Sequence, residues 1–388
     1  MRVGIYVQVP FCQTRCTYCN FHTGVVSSSR FAPYVEAICK EIRNHRELYT
    51  ANRVTLPATF TDAVVDSVYI GGGTPSLLDA EHLQRVIDAI RENFATDLME
   101  VTLEADPETV EERKAAAWVR AGINRVSFGV QSFSDRELAA AGRMHRRADV
   151  YRAVPILRDA GMANISFDLI AGLPHQTMES WRHSLDELAT LAPEHVSVYL
   201  LEVDEGSRLG AEVLRGGTRY SAAELPSDDE MAEFYEMACA FLQFAGYHHY
   251  EISNWGKPGL ESRHNLKYWR REPYLGFGAG AHSFSGTERW ANAHDPAAYV
   301  DVVQRGGLPV EQHEVLTIAA ALEEELFLGL RQLDGIDLGR IEREYGVTLA
   351  GRFEPLASAG LVERTGSVVR LAPTKLSVSN EVFVELLG

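Results

Sequence analysis

The sequence predicts an α/β fold: an open, partial (β/α)6 barrel followed by a smaller α+β region. Three observations carry this prediction. Short β-branched runs alternate with amphipathic segments through the first two thirds of the 388-residue chain. The alternation stops near residue 205, short of the eight units that a closed barrel requires. Residues suited to chemistry gather where the runs end, which is where parallel α/β sheets place their ligands.

In chain order, IYVQVP, SVYIGGG, EVTLEADP, RVSFGVQS, NISFDLIAGLP and HVSVYLLEV read as parallel strands. Segments such as AEHLQRVIDAIREN and MESWRHSLDELATL supply crossover helices between them. Past residue 205, EGSRLGAEVLRGGTRYSAAELPSDDE is rich in turn formers and predicts a loop before the helix DDEMAEFYEMACAFLQFAG. YHHYEISNWGKPG, RHNLKYWRREPYLGFGAGAHSF and further helices follow. The last stretch, LASAGLVERTGSVVRLAPTKLSVSNEVFVELL, reads as helix, hairpin, helix and resembles a small winged-helix module. Three parts result: residues 1–205 as the barrel, 206–310 as an extension, and 311–388 as a winged-helix-like C-terminal region.

Composition bounds the function. Hydrophobic residues at 46% and charged residues at 23% suit a soluble globular protein with one large domain and an appendage. A formal charge of −17 argues against nucleic acid as a partner, because that affinity rests on Lys and Arg neutralising phosphates. The winged-helix-like end therefore reads as structural or protein-contacting. MRVGIYVQVP runs directly into a strand without a charged leader and apolar core, and no apolar run reaches bilayer length. The expectation is a cytoplasmic protein with no integral membrane segment, for which any membrane contact is peripheral.

Three cysteines fall within eight residues, Cys12, Cys16 and Cys19 in PFCQTRCTYCNF. Four thiolates close a structural zinc site or a plain electron-transfer cluster, whereas three on a four-iron cluster leave one iron open for chemistry. His22, three positions after Cys19, offers a Cys3His zinc site as the alternative. Reduced bystander thiols are the remaining reading. Cys39 and Cys239 lie in helical stretches and read as small buried apolar residues.

GGGTPS, residues 71–76, follows a strand and precedes a helix. Consecutive glycines let a backbone approach a ligand with no Cβ in the way, and Pro75 fixes the turn. By itself the turn fits a phosphate loop equally well, although it lacks the lysine of a P-loop.

The ordered set PFCxxxCxYCxF, GGGTPS, TLEADP, RVSFGVQSF, ISFDLIAGLP and RHNLKYW resembles the radical S-adenosylmethionine (SAM) superfamily and, within it, the HemN/HemW group. That group contains oxygen-independent coproporphyrinogen III oxidases and haem chaperones, and the resemblance covers nearly the whole chain. It implies a radical SAM partial barrel with a 4Fe-4S cluster on Cys12, Cys16 and Cys19, and SAM bound to the open iron. It further implies SAM contacts from Tyr6, Tyr18, Gly72, Gly73, Thr74, Glu104, Gln131, Arg143 and Asp168. Glu104 and Asp168 can accept from ribose hydroxyls or an amino group, and Arg143 can pair with a carboxylate. Taken singly, the acids read as solvated strand-end residues, Arg143 as a surface cation, and Tyr6 and Tyr18 as core aromatics. Gly73 is expected to give SAM a close backbone approach without touching a cluster ligand, so that bulk there leaves iron content intact.

Within the group, the resemblance leans toward the haem-chaperone branch. The oxidases carry a further cysteine two positions after the third, where this chain has Phe21, and an N-terminal arm where this chain has about nine residues. His264, Asn265, Tyr268 and Trp269 match the HNxxYW motif of the chaperone branch. The implied function is to bind haem and pass it to haem-requiring respiratory proteins, with an electron donor serving the cluster. His264 is the expected axial ligand, with His282 or His249 as substitutes. A structural histidine holding a loop by hydrogen bonds is the other reading of His264. The alternative functions are decarboxylation of coproporphyrinogen III through a SAM-derived radical, or a related methyltransferase or cyclopropanase reaction. Enzymatic turnover of SAM stays open at this stage.

Overall fold

A computed structural model describes residues 1–52 and 54–387. The six expected strands are β1 (Arg2–Val9), β2 (Val64–Gly72), β3 (Ala95–Ala105), β4 (Arg125–Gln131), β5 (Asn164–Ala171) and β6 (His195–Leu200). Each lies parallel to the next. The crossover helices include α1 (Phe31–Arg43), α2 (Ala80–Asn93), α3 (Glu112–Ala121), α4 (Arg147–Asp159) and α5 (Met178–Leu191). Each buries one stripe against the sheet, as helical spacing requires: α2 places Leu83, Val86, Ile87 and Ile90 inward, and α5 places Trp181, Leu185 and Leu188 inward. Thr177 starts α5 by accepting from the Ser180 N–H at 3.2 Å, and Gly122 ends α3 at φ +96°.

The chain past residue 205 does more than the sequence pattern indicates. After α6 (Asp228–Phe244) come β7 (His248–Glu251), β8 (Asn254–Gly256), α7 (Arg263–Trp269), β9 (Tyr274–Phe277), β10 (His282–Phe284), β11 (Glu288–Asn292) and β12 (Val310–Val315). All six of these strands join the barrel sheet, whose order is β12-β11-β10-β9-β1-β2-β3-β4-β5-β6-β8-β7. β9 is a seventh parallel strand, with Gly4 of β1 opposite Tyr274 and Val7 opposite Phe277. Four residues between glycines and turns carry too little periodicity to announce a strand. The sheet stays open, as expected, with β7 and β12 at its edges.

The segment expected as a loop before α6 contains a short helix, Arg208–Leu214. Ser207 caps it by accepting from Gly210 N–H at 2.9 Å, and Leu209 packs with Ala141, Ile170, Leu173 and Leu201. Burial of Leu209 offsets the weak helix propensity of Gly210. At the C-terminus the expected helix, hairpin and helix are Ala350–Ser358, Val362–Thr365 with Val368–Leu371, and Ser379–Leu387. Strand Ile336–Asp337 pairs with the hairpin to make a three-stranded sheet. Among the described residues no helix is long and apolar enough to cross a membrane.

Candidate functional site

The C-terminal ends of the parallel strands surround a cavity of about 470 Å³. Its lip and one wall are the cysteine loop: Cys12, Cys16, Tyr18 and Cys19 all line it. Cys12 ends a two-residue strand, Phe11–Cys12, that pairs with Gly24–Val25 and so folds the loop back on itself. The loop is anchored by Thr17, whose N–H donates to Ala141 O at 2.9 Å and whose carbonyl accepts from Leu209 N–H at 2.7 Å. None of the three thiols is in a disulfide. Burial pushes the Cys12 and Cys19 thiols up, so a bound cation is what would hold them as thiolates. His22, the fourth ligand of the zinc alternative, is turned elsewhere: its Nε2 lies 3.0 Å from the His294 carbonyl oxygen. Three uncrosslinked thiols on one face of an open cavity fit a cluster with one unligated corner.

The glycine turn is pressed against this loop. The Gly73 N–H donates to Val9 O at 2.8 Å, and Thr74 N–H donates to Phe11 O at 2.7 Å. Gly72, at φ +116°, donates its N–H to Glu104 Oε2 at 2.8 Å. A Cβ on Gly73 would stand 2.5 Å from Phe11 O and 2.9 Å from Cys12 Sγ. This corrects the expectation for Gly73. Its missing side chain makes room for the cysteine loop itself, so bulk there strikes a proposed cluster ligand. Gly72, Gly73 and Thr74 line the cavity, but their amides are already engaged within the protein.

Charges of both signs face the cavity. Glu104 accepts from Tyr69 Oη at 2.9 Å as well as from Gly72, and burial lifts its carboxyl to about 7. Asp168 accepts from Ser127 Oγ at 3.2 Å, and burial raises it against the opposing pull of Ser197 and Arg125. Arg143, expected to meet a ligand carboxylate, already pairs with Asp106 and donates to Gly129 O at 2.8 Å. Its other terminal nitrogen lies 3.6 Å from Cys16 Sγ, so the guanidinium joins the cluster loop to the ends of β3 and β4. Asp106 also accepts from Thr74 Oγ1 at 3.2 Å. Gln131, at φ +64°, lines the same wall at the end of β4.

Two expected residues do not line the cavity. Tyr6 lies behind it, its ring stacked on Tyr69 at 6.1 Å and its hydroxyl donating to Gln8 Oε1 at 2.6 Å. His264 is 1% exposed, with Nδ1 3.0 Å from Ser67 Oγ and Nε2 2.9 Å from Tyr268 Oη. Burial, then Lys267 and Arg125, push it down to about 3. Both ring nitrogens are engaged inside the protein, so neither faces an iron in this arrangement. The geometry is that of the structural alternative: His264 packs on Tyr69 at 5.4 Å, and Tyr69 holds Glu104. The substitute His249 also points inward, with Nε2 3.2 Å from Ile252 O and its ring stacked on Trp255 at 4.0 Å.

Sequence reasoning passed over Tyr69, Arg125, Ser127, Ser197 and Tyr199, and named Asn265 only as a motif position; all six line the cavity. A signal for several of them exists. On β4 the lining residues are Arg125, Ser127, Gly129 and Gln131, while Val126, Phe128 and Val130 are buried on the other face. Polar residues at alternate positions of an otherwise apolar strand mark its ligand-facing side. Asn265 shows that the HNxxYW motif touches the cavity through its asparagine rather than its histidine.

The chain matches the radical SAM superfamily over residues 6–188 and the HemN C-terminal domain over 316–374. It is 36% identical to the heme chaperone HemW of Bacillus subtilis, covering 99% of this chain and 98% of that protein. It is 34% identical to HemW of Lactococcus lactis, covering 98% and 96% of the two chains. HemW of Mycobacterium tuberculosis is 35% identical over 99% of this chain and 95% of its own. In structure, the coproporphyrinogen III oxidase HemN of Escherichia coli superposes with a TM-score of 0.82, covering 99% of this chain and 89% of that one at 24% identity, which establishes a shared fold. The chain therefore belongs to the HemW family of the radical SAM superfamily.

Proposed function

We propose that this protein is a cytoplasmic haem chaperone that holds a 4Fe-4S cluster on Cys12, Cys16 and Cys19, SAM in the adjoining cavity, and haem as cargo for haem-requiring respiratory proteins. Identity of 34–36% with heme chaperones along nearly the full chain carries the reading. When bound, a three-thiolate cluster supplies an open iron and, on reduction by a separate electron donor, one electron.

The residues of the cavity suit SAM, which bears a sulfonium, an ammonium and a carboxylate. Glu104, Asp106 and Asp168 give the wall an acidic character that favours the two cations, and a bound cation would draw Glu104 back toward its ionised form. Arg125 and Arg143 offset those acids, and Arg143 is placed to exchange Asp106 for a ligand carboxylate. Tyr18, Gln131 and Asn265 remain for the ribose and base. Tyr6 acts behind the site, as the support of Tyr69. In this reading residues 1–205 hold the cluster and SAM, 206–310 extend the sheet, and 311–388 supply its last edge strand and a winged-helix-like contact module packed on the same core.

A paired anaerobic assay tests the proposal. Reconstituted protein should hold about four irons per chain, and replacing Cys12, Cys16 or Cys19 with Ala should abolish that, while Cys39→Ala should not. The same preparation should bind haem and leave coproporphyrinogen III unconverted when SAM and reductant are present. Stoichiometric zinc without iron–sulfur absorption overturns the cluster assignment, and robust protoporphyrinogen formation moves the protein to the decarboxylases.

A further inference from the structure

The chain leaving the cluster loop carries three exposed large apolar side chains within six residues: Phe21 is 69% exposed, Val25 59% and Val26 39%. Grouped exposure of this kind marks a contact surface, where single exposed apolar residues are ordinary. Phe21 also lines the cavity, so the patch runs on from its mouth.

His22, from the cysteine loop, meets His294 here, and His282 stands on the neighbouring strand, opposite Ala291 of β11. The rings of His22 and His294 meet edge to face at 4.7 Å. His22 directs Nε2 at the His294 carbonyl, which leaves Nδ1 without a protein partner among the described residues. His294 Nδ1 is buried with no hydrogen-bond partner, and a Cβ on Gly280 would stand only 3.2 Å from it. His282, at the start of β10, is exposed, lies within electrostatic reach of His294, and makes no side-chain hydrogen bond among the described residues. Elsewhere His145 is held by Val130 O and His195 by Ser166 and Tyr250, while His45 Nε2 and His82 Nδ1 are the other buried ring nitrogens without a partner among the described residues. What sets this place apart is exposure: His22 and His282 reach solvent with a ring nitrogen unpartnered among the described residues, beside the apolar patch.

The chemistry of this group selects its ligand. A bare metal ion needs three or four converging donors, whereas here only the His22 and His294 rings meet, at 4.7 Å, with the His22 Nε2 turned to a carbonyl. Iron held in plane by a porphyrin needs only one or two imidazoles, while the macrocycle needs an apolar face. Resting on the haem-chaperone reading, we propose that residues 21–26 together with His22, His282 and His294 form the haem uptake site. The porphyrin lies on Phe21, Val25 and Val26, and its iron takes an imidazole from this trio rather than from the buried His264. Cargo bound there sits at the mouth of the cluster cavity.

The test is an anaerobic titration of full-length, cluster-loaded protein with ferric protoporphyrin IX, read by the Soret band and by affinity. The combined variant His22→Ala, His282→Ala, His294→Ala should lose the imidazole-ligated Soret position and bind at least about tenfold more weakly. Phe21→Ser should weaken binding without moving the band. His264→Gln, which keeps hydrogen bonds available to Ser67 or Tyr268, should change neither. Iron content equal to wild type shows that the combined variant is folded; if it falls, the single variants decide, and an unchanged Soret band in all three overturns the proposal. A combined variant that holds its cluster and binds haem as wild type does overturns the location alone. Wild-type protein that binds no haem overturns both the location and the chaperone reading.

Discussion

Gly73 shows how much one missing Cβ can decide. Its N–H is tied to Val9 O at 2.8 Å, so the residue cannot retreat from Phe11 O and Cys12 Sγ when a side chain is added. Gly73→Val is therefore expected to cost iron as well as SAM: metal analysis after anaerobic reconstitution should show a cluster deficit that tracks the loss of SAM binding. Full iron content with weakened SAM binding would return Gly73 to the role the sequence alone suggests. Glu41, on α1, illustrates a residue whose environment is invisible in sequence. It accepts from Tyr299 Oη at 2.6 Å, Asn292 Nδ2 at 2.7 Å and Gly278 N–H at 3.0 Å, yet burial still lifts it from 4.5 to about 7. The folded protein then binds this proton more tightly than the unfolded chain does. The linked stability is fully present below about pH 4.5 and is lost as pH rises through 7. Relative to Glu41→Gln, wild-type stability should fall by about 3 kcal/mol across that window, measured by denaturant unfolding at several pH values.

At the scale of elements, α7 is short and polar, with little of its own to hold it in place. The barrel supplies the rest. Glu100 of β3 is 4% exposed and accepts from Arg263 N–H at 2.8 Å, His264 N–H at 3.2 Å and Ser262 Oγ at 3.3 Å, so a strand residue caps the helix. Lys267 Nζ reaches Asp66 at 2.9 Å on β2. Together with the chain His264, Tyr69, Glu104, these contacts tie the HNxxYW helix to the cavity wall. Glu100→Ala leaves those amides and the nearby Arg125 charge without their partner, at a cost of about 3–5 kcal/mol. Thermal unfolding should report the loss, and SAM affinity should fall with it because Tyr69 and Glu104 lose their backing. A variant as stable as wild type would show that α7 docks through its apolar contacts alone. The motif was legible in the sequence, but its work was not: histidine, asparagine and tyrosine name possible ligands, and only packing separates the residue that faces the cavity from the one behind it.

Across the whole molecule, the extension cannot be separated from the barrel without exposing β1 and β6. β9 pairs with β1 on one side and β8 pairs with β6 on the other, and the β1 core residues Val3, Ile5 and Val7 are fully buried. A fragment ending at residue 205 would present two long apolar strand edges to solvent. It is expected to aggregate on expression, as size-exclusion chromatography and circular dichroism would show, whereas the full chain, in which both edges are covered, should remain soluble. A soluble, monomeric 1–205 fragment would mean that the barrel is self-sufficient.

The sequence by itself determined the β/α alternation, the three-thiolate loop and the family, because each depends on local spacing: period two in strands, period 3.6 in helices, and three cysteines at fixed intervals. Glu104, Gln131 and Asp168, read from the sequence as strand-end residues, line the cavity for the same reason. Tertiary structure alone decided that β9 crosses back to pair with β1, that Arg143 is held by Asp106, and that His264 is enclosed while His22 meets His294. Those outcomes depend on contacts between residues tens to hundreds of positions apart, where no local period exists to be read and where burial, rather than residue type, determines whether a polar group serves a ligand or the fold.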